Sequence, residues 1–414
     1  MKIVENFSLQ TGLKINKPDL TESFFPLDHP IEKTIIFYTF AGGIRKEGEN
    51  YIATHPAFIY DYFNEVLDLL YPILSSMGYK FYQIGSSTDP KLDRVNSLLG
   101  LTNSLQAAYL VSKCALFVCG DNIWGHIRSK ENKPLIQLFG PTDSRTNSPF
   151  WGSENSIHID SHRFGKLPSY SPNEPFKTIN LIPPEQVAQA ALNLLKIDSQ
   201  INIKSVFIGP NYNHQIFELV PNVLIDPSME LGIPIIRMDY EHNLEGLIQN
   251  IRTRKCAIIL DKEIDLNVLS SLKPNIANLR VCVDNVSDNW LKMLKKIPIP
   301  TLFVTEQQDE EKINKRRLEL FDICFFDKIQ NPTIEGLRNG IESYTNKTVD
   351  KNLDLSKLFF SSKRMILSKG KIYLSKAHWE EDISTSSFQE RVGSVIDKSS
   401  FWNEMQNHWY FIKD

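Results

Sequence analysis

The sequence predicts an α/β protein of two Rossmann-like, doubly wound domains, and three observations predict it. Apolar runs of strand length alternate with longer stretches whose apolar residues recur at helical spacing. Several of these runs end in Gly and short polar residues, as strands do at the carboxyl edge of a parallel sheet. The pattern then restarts near residue 200, and 414 residues exceed one ordinary core.

In order, residues 1–32 carry Pro18, Pro26 and Pro30 and little periodicity, and read as an N-terminal arm. Thr34 to Phe40 is the first strand, running into Ala41-Gly42-Gly43, with Arg45 and Lys46 just beyond. Phe58 to Met77 has helical spacing, and Gly78 fits its C-terminal cap. Tyr79 to Ile84 is the next strand, ending in Gly85-Ser86-Ser87. Ser104 to Lys113 is a helix, Leu116 to Cys119 and Leu135 to Phe139 are strands, and Pro184 to Leu195 is an amphipathic helix. These elements form a first domain over 33–197. Short strands at Val206–Ile208, Val223–Ile225, Ile233–Met238, Ala257–Leu260, Leu279–Val283, Thr301–Val304 and Ile323–Phe326 make a second over 198–345. In the C-terminal extension, 346–414, Leu358 to Leu374 reads as a hairpin around Lys369-Gly370. An aromatic tail with Trp402, Trp409, Tyr410 and Phe411 reads as packing on the body of the protein.

Composition narrows the function. A net charge of −3 leaves no overall electrostatic footprint for nucleic acid, although Arg252–Lys255 and Lys312–Arg317 are local basic clusters that read first as solvated helix faces. The five cysteines are scattered without a CxxC pair, which fits reduced core thiols and suggests no metal site. No apolar run approaches the roughly 20 residues that span a bilayer, and the first ten residues lack a signal core. The chain reads as cytoplasmic.

The most informative stretch is Leu116 to Asp143: a strand, the acidic turn Gly120-Asp121-Asn122, a helix start with His126, a second strand, and Phe139-Gly140-Pro141-Thr142. With Gly100-Leu101-Thr102 upstream and Ile84-Gly85-Ser86, these residues resemble the nucleotide-sugar-binding domain of glycosyltransferase family 9, the ADP-heptose lipopolysaccharide heptosyltransferases. Asp121 to His126 matches the family's DTGxxH turn, with Ile123 in place of its Gly, and Phe139 to Thr142 matches FGPT. The resemblance covers about 33–196. It implies a GT-B-like fold, in which the two domains face a cleft. The family places this domain second, so the domain order here looks swapped.

The implied chemistry is transfer of a sugar from a nucleotide diphosphate sugar, with no cofactor and no metal if cations and helix N–H groups carry the leaving-group charge. The implied donor-binding residues are Thr39, Gly42, Gly43, Lys46, Gly85, Ser86, Asp121, Asn122, His126, Gly140 and Thr142. Asp121 would meet sugar hydroxyls, because a carboxylate repels phosphate; its alternative is a helix cap. Ser86, Ser87 or Asp89 would touch the ribose. No motif identifies the base, so the polar strand ends of the second domain are its candidates: Asp239 and His214 first, with Asp226, Glu241 and Asp261 behind them. The acceptor is a surface glycan of the lipopolysaccharide type or a hydroxymethylated base in phage DNA. A nucleotide-sugar-binding protein without catalysis, and a sugar-nucleotide epimerase of the same architecture, are the alternatives.

Overall fold

The computed structural model describes residues 2–17, 21–39, 44–47, 50–209, 211–212, 214–229, 232–305, 307, 309–319, 326–328, 358–380, 391–392 and 407–413. Gly42, Gly43, Cys324 and Trp402 lie outside the described residues, as do the side chains of Arg45 and Lys46. The chain divides into two compact units, 1–205 with 413–414 and 206–412.

A short helix, α1 (Ile3–Thr11), opens the first unit and buries none of its residues. The strand β1 (Thr34–Tyr38) follows; Thr34–Phe37 are buried, as a central parallel strand covered on both faces must be. A separate hairpin, β2 (Ile44–Glu47) with β3 (Asn50–Ala53), leads to α2 (Phe63–Ser76). The next elements are β4 (Lys80–Gln83), β5 (Asn96–Ser97), α3 (Ser104–Lys113), β6 (Leu116–Gly120), α4 (Ile123–Lys130), β7 (Leu135–Phe139), α5 (Ser144–Asn147), β8 (Ser156–Asp160) and α6 (Pro184–Leu194). Local chemistry explains the helix starts. Asn103 and Gln106 form a reciprocal capping box on α3, and Pro184 stands in the first turn of α6, where its missing N–H costs nothing.

The six strands lie in the order β5-β4-β1-β6-β7-β8, and the pairs are parallel. The chain walks outward from β1 to β5, returns to the middle, and walks the other way from β6 to β8. This is the Rossmann order. Its reversal falls between β1 and β6, where the loops diverge and leave a crevice at the carboxyl edge.

Arg128 of α4 has no exposed surface. Its guanidinium and Nε donate to five carbonyls, those of Val111, Ser112, Cys114, Ala115 and Pro134, at 2.8–3.1 Å. Several of these are the orphan carbonyls at the C-terminus of α3, whose dipole favours a cation. One side chain therefore fixes α4 against α3 and β6.

The second unit opens where β9 (Ile203–Ile208) carries the chain across the boundary. It continues with β10 (Ile216–Leu219), β11 (Ile235–Arg237), α7 (Leu244–Thr253), β12 (Cys256–Leu260), α8 (Leu266–Leu272), β13 (Ile276–Cys282), α9 (Asp288–Leu294), β14 (Thr301–Thr305), α10 (Glu310–Glu319) and β15 (Phe326–Lys328). Val223–Ile225, an apolar run of strand length, is not a strand; the backbone amide of Val223 donates to Val220 and turns the chain instead. After β16 (Leu358–Ser362) come β17 (Arg364–Ser368), β18 (Lys371–Tyr373), α11 (Lys376–Glu380), β19 (Arg391–Val392) and β20 (His408–Lys413). The main sheet has the order β15-β14-β13-β12-β11-β10-β17-β18, parallel but for the β17–β18 hairpin, which turns at Lys369-Gly370 with positive φ at both residues. Here too the winding reverses once, between β10 and β17. One core joins Ile258, Leu260, Leu279 and Val281 of the sheet to Leu247, Leu269, Trp290 and Leu291 of α7 to α9. A four-stranded sheet, β19-β16-β20-β9, takes the aromatic tail, with Trp409, Tyr410 and Phe411 buried. Cys114, Cys119 and Cys256 are buried free thiols.

Candidate functional site

The site is built from the four loops at the carboxyl edge of the first sheet. After β6, the chain turns through Asp121 and starts α4. Asn122, not Asp121, is the cap: its backbone is extended and its Oδ1 accepts from Trp124 and Gly125 at 2.9 and 3.3 Å. Asp121 is thereby free of the capping role. Its Oδ2 accepts instead from Thr142 Oγ1 at 2.7 Å, in the loop after β7, and from Asn147 Nδ2 at 2.9 Å, at the end of α5. Burial raises the Asp121 carboxyl above its ordinary value, against the two hydrogen bonds and His126, which pull it down. His126, one turn into α4, is half-buried. Burial lowers its pKa, Asp121 opposes that, and Lys2 adds to it.

Ile123 replaces the small residue of the resembled turn, but its side chain is 68% exposed and fills no part of the turn's interior. Gly125 matters more. A Cβ there would stand 2.7 Å from the buried amide of Gln137, so any larger residue must displace that side chain where α4 lies on β7.

The loop after β7 carries Gly140, Pro141, Thr142 and Asp143. A Cβ on Gly140 would stand about 2.5 Å from the backbone nitrogen of Ile179, which explains the glycine by packing alone. Arg163 secures the loop from beneath, donating to the carbonyls of Gly140 and Thr142 and to Asp160. Asp143 caps α5 and pairs with Arg145, whose hydrogen bonds pull its carboxyl down to about 2. On the far side, Lys2 of the N-terminal arm donates to the Ser144 carbonyl and to Ser148 Oγ.

The loop after β4 holds Gly85, Ser86 and Asp89. Asp89 accepts the Ser86 amide at 2.9 Å, and a Cβ on Gly85 would collide with its carboxylate. Its other oxygen is buried and has no hydrogen-bond partner among the described residues. Thr39, at the end of β1, is buried and accepts from Gln83 at 3.1 Å.

The structure thus brings Thr39, Gly85, Ser86, Asp121, Asn122, His126, Gly140 and Thr142 to one edge of one sheet. Asn147 and Lys2 join the same loops without any motif pointing to them. In the second unit, both oxygens of Asp239 are held by Arg237, at 2.8 and 2.6 Å. His214 is exposed in the turn after β9, its backbone amide donating to Asn211. Among the described residues no group of three or more His, Cys, Asp or Glu could hold a metal ion, and no helix is long and apolar enough to cross a membrane.

The model of glycosyltransferase family 9 (heptosyltransferase) matches residues 84–179. Lipopolysaccharide heptosyltransferase 3 of Escherichia coli (strain K12) is 30% identical over 116 residues, which are 28% of this chain and 32% of that protein. Among solved structures, a family 9 glycosyl transferase from Veillonella parvula DSM 2008 is 19% identical with a TM-score of 0.30, over 47% of this chain and 50% of that one. ADP-heptose lps heptosyltransferase II of E. coli is 19% identical with a TM-score of 0.29, over 40% and 47%. The chain therefore spans about a third of the curated relative and about half of each solved one. The matched segment contains Gly85, Asp121, His126 and Phe139 to Thr142, the residues that carry the resemblance: over residues 84–179, the chain matches glycosyltransferase family 9.

Proposed function

We propose that the chain transfers a sugar from a nucleotide diphosphate sugar to an acceptor hydroxyl, and that the first unit holds the donor. In this step the acceptor oxygen bonds to the anomeric carbon, the bond from that carbon to the diphosphate breaks, and the hydroxyl proton passes to a base. The observation that supports the reading most is Asp121. It is a carboxylate left out of helix capping, oriented by Thr142 and Asn147 at the reversal point of a Rossmann-ordered sheet.

The roles follow from charge. Asp121 and His126 take sugar hydroxyls. The diphosphate takes the backbone N–H groups of Asn122 and Ile123 and the lysine charge at Lys46, so the reading calls on no metal. Asp89 takes the ribose, because its unpartnered oxygen stands at the end of β4, beside β1, where a Rossmann fold places its ribose carboxylate. Asp239 is a poor base while Arg237 holds both its oxygens, which leaves His214 as the better of the two candidates. Similarity to a lipopolysaccharide heptosyltransferase favours a heptose donor and a lipopolysaccharide-type glycan as acceptor. We take that reading over a hydroxymethylated base in DNA.

A thermal-shift panel of nucleoside diphosphates and their sugars tests the donor site. A ligand at a hundred times its Kd adds about 2.7 kcal/mol and moves the melting point by several degrees. If every member leaves the melting point unmoved, there is no donor site. A non-catalytic binder would respond to the panel but never release free sugar from the donor, with or without acceptor.

A further inference from the structure

We propose that the carboxyl edge of the second sheet contains a subsite for a neutral sugar ring, with Trp379 as its stacking face and Asn222, Glu241 and Lys369 as its hydroxyl partners. The winding of this sheet reverses between β10 and β17, and at this edge the loop after β10 meets the β17–β18 turn. The polar residues there are tied together. Asn222, after β10, donates to Glu241 Oε2 at 2.7 Å and to Ser368 Oγ at 3.3 Å, and accepts the backbone amide of Lys369 at 3.1 Å.

Tyr240, the chain neighbour of Glu241, stacks with Trp379 of α11, the centroids 4.8 Å apart and the planes 16° from parallel. The other side of Tyr240 lies against the Arg237 guanidinium, 3.7 Å from the ring centroid. Tyr240 is therefore sandwiched, and the partly buried indole of Trp379 is the aromatic surface offered to a ligand.

The floor is rigid. Glu218 is 1% exposed and pairs with Arg237 at 2.8 Å and with Arg364, pinning β10 to β11 and β17. Charge selects the ligand class. Arg364 and Arg237 are answered by Glu218 and Asp239, and Lys376 lies 4.0 Å from Glu380. Of the charged residues named here, Glu241 and Lys369 remain, one of each sign. A phosphate gains little from such a balance and meets a carboxylate. A sugar uses all of it: its C–H face stacks on an indole, and its hydroxyls both give and take hydrogen bonds with an amide, a carboxylate and an ammonium. On the glycosyl-transfer reading this sugar is the acceptor, and only that word rests on it.

The test is saturation-transfer NMR on the full chain with methyl glycosides of glucose, galactose and mannose at about 5 mM. The expected result is transfer to the ring C–H protons of at least one glycoside. Trp379→Ala should weaken that binding about tenfold or more, and Glu241→Gln about five- to tenfold. The second change alters one partly exposed carboxylate, so it tests the subsite even if Trp379→Ala does not fold. Nucleoside diphosphate binding, followed by thermal shift, should not move with either. No transfer from any glycoside would overturn the proposal, as would transfer that both substitutions leave intact. It would also fall if a duplex carrying hydroxymethylated bases bound in place of the sugars and was lost with Trp379→Ala. Sugar binding without any nucleotide binding would sink the glycosyl-transfer reading and leave the subsite standing; the reverse would sink the subsite alone.

Discussion

Replacing Asp121 by Asn separates the roles assigned to this residue. The substitution keeps the shape and an acceptor for Thr142 and Asn147, and removes the charge. Stability comes first. Because burial raises the Asp121 carboxyl above its ordinary value, the folded protein disfavours the anion relative to the unfolded chain, despite both hydrogen bonds. A neutral isostere removes that penalty, so Asp121→Asn should melt at or above the wild-type temperature at pH 7. Binding comes second. A hydrogen bond to a charged acceptor contributes about 1.5–3 kcal/mol and a neutral one about 0.5–1.5, so each sugar hydroxyl held by Asp121 should lose about 1–1.5 kcal/mol, close to tenfold in Kd. The diphosphate loses only a repulsion. Calorimetry should therefore show about ten- to a hundredfold weaker binding of the nucleotide sugar, while the bare nucleoside diphosphate binds equally well or better. Equal weakening of both ligands, or a melting point several degrees lower, would refute the reasoning.

Other outcomes follow from the same contacts. Arg128→Lys leaves at least two of five buried carbonyls without a donor, so urea unfolding should show a loss of about 3 kcal/mol or more; a loss under about 1 kcal/mol would mean the pocket rebuilds around the lysine. Gly140→Ala must push the loop from Ile179, with an expected cost of about 2–3 kcal/mol and weaker nucleotide-sugar binding, because Thr142 moves with it. His158, beside Lys2 and His126, is held neutral by burial, its pKa lowered from 6.5 to about 4. The folded protein binds fewer protons there than the unfolded chain, so its contribution is complete above pH 6.5 and is lost as pH falls towards 4. After allowance for its partial exposure this is about 2 kcal/mol, and His158→Gln should flatten the fall in stability between pH 7 and 4.5 by that amount.

Much of the first unit was legible in the sequence because its signals are local. Leu116–Cys119 and Leu135–Phe139 are strands because each is a short apolar run with turn residues at its end, and Asp121 and Thr142 meet because those two strands are neighbours. What was not legible depends on tertiary contact. Asn122 rather than Asp121 takes the cap, a choice between adjacent residues that composition does not rank. Asn147 lies in a four-residue helix with no periodicity to reveal it. The helix at Ile3–Thr11 buries nothing, so it lacks the amphipathic signal by which helices are read. In the second unit, Asp239 was singled out as a strand-end carboxylate, and the arginine that occupies it stands two residues earlier on the same strand, in plain view but without a pattern to mark it.

The reversal in the second sheet also shapes the life of the chain before it is folded. Strands β11 to β14 each find a partner in the strand just made, so this part of the sheet can grow as it is synthesised. The outer edge of β10 cannot. It is completed by β17, and Glu218 waits for an arginine 146 residues further on. At about 5–20 residues per second, that edge stays open for roughly 7–30 s on the ribosome. An unpaired apolar edge is a template for other chains. Products truncated before Arg364 should therefore aggregate through β10, and efficient production of this protein depends on whatever shields that strand until its last neighbour arrives.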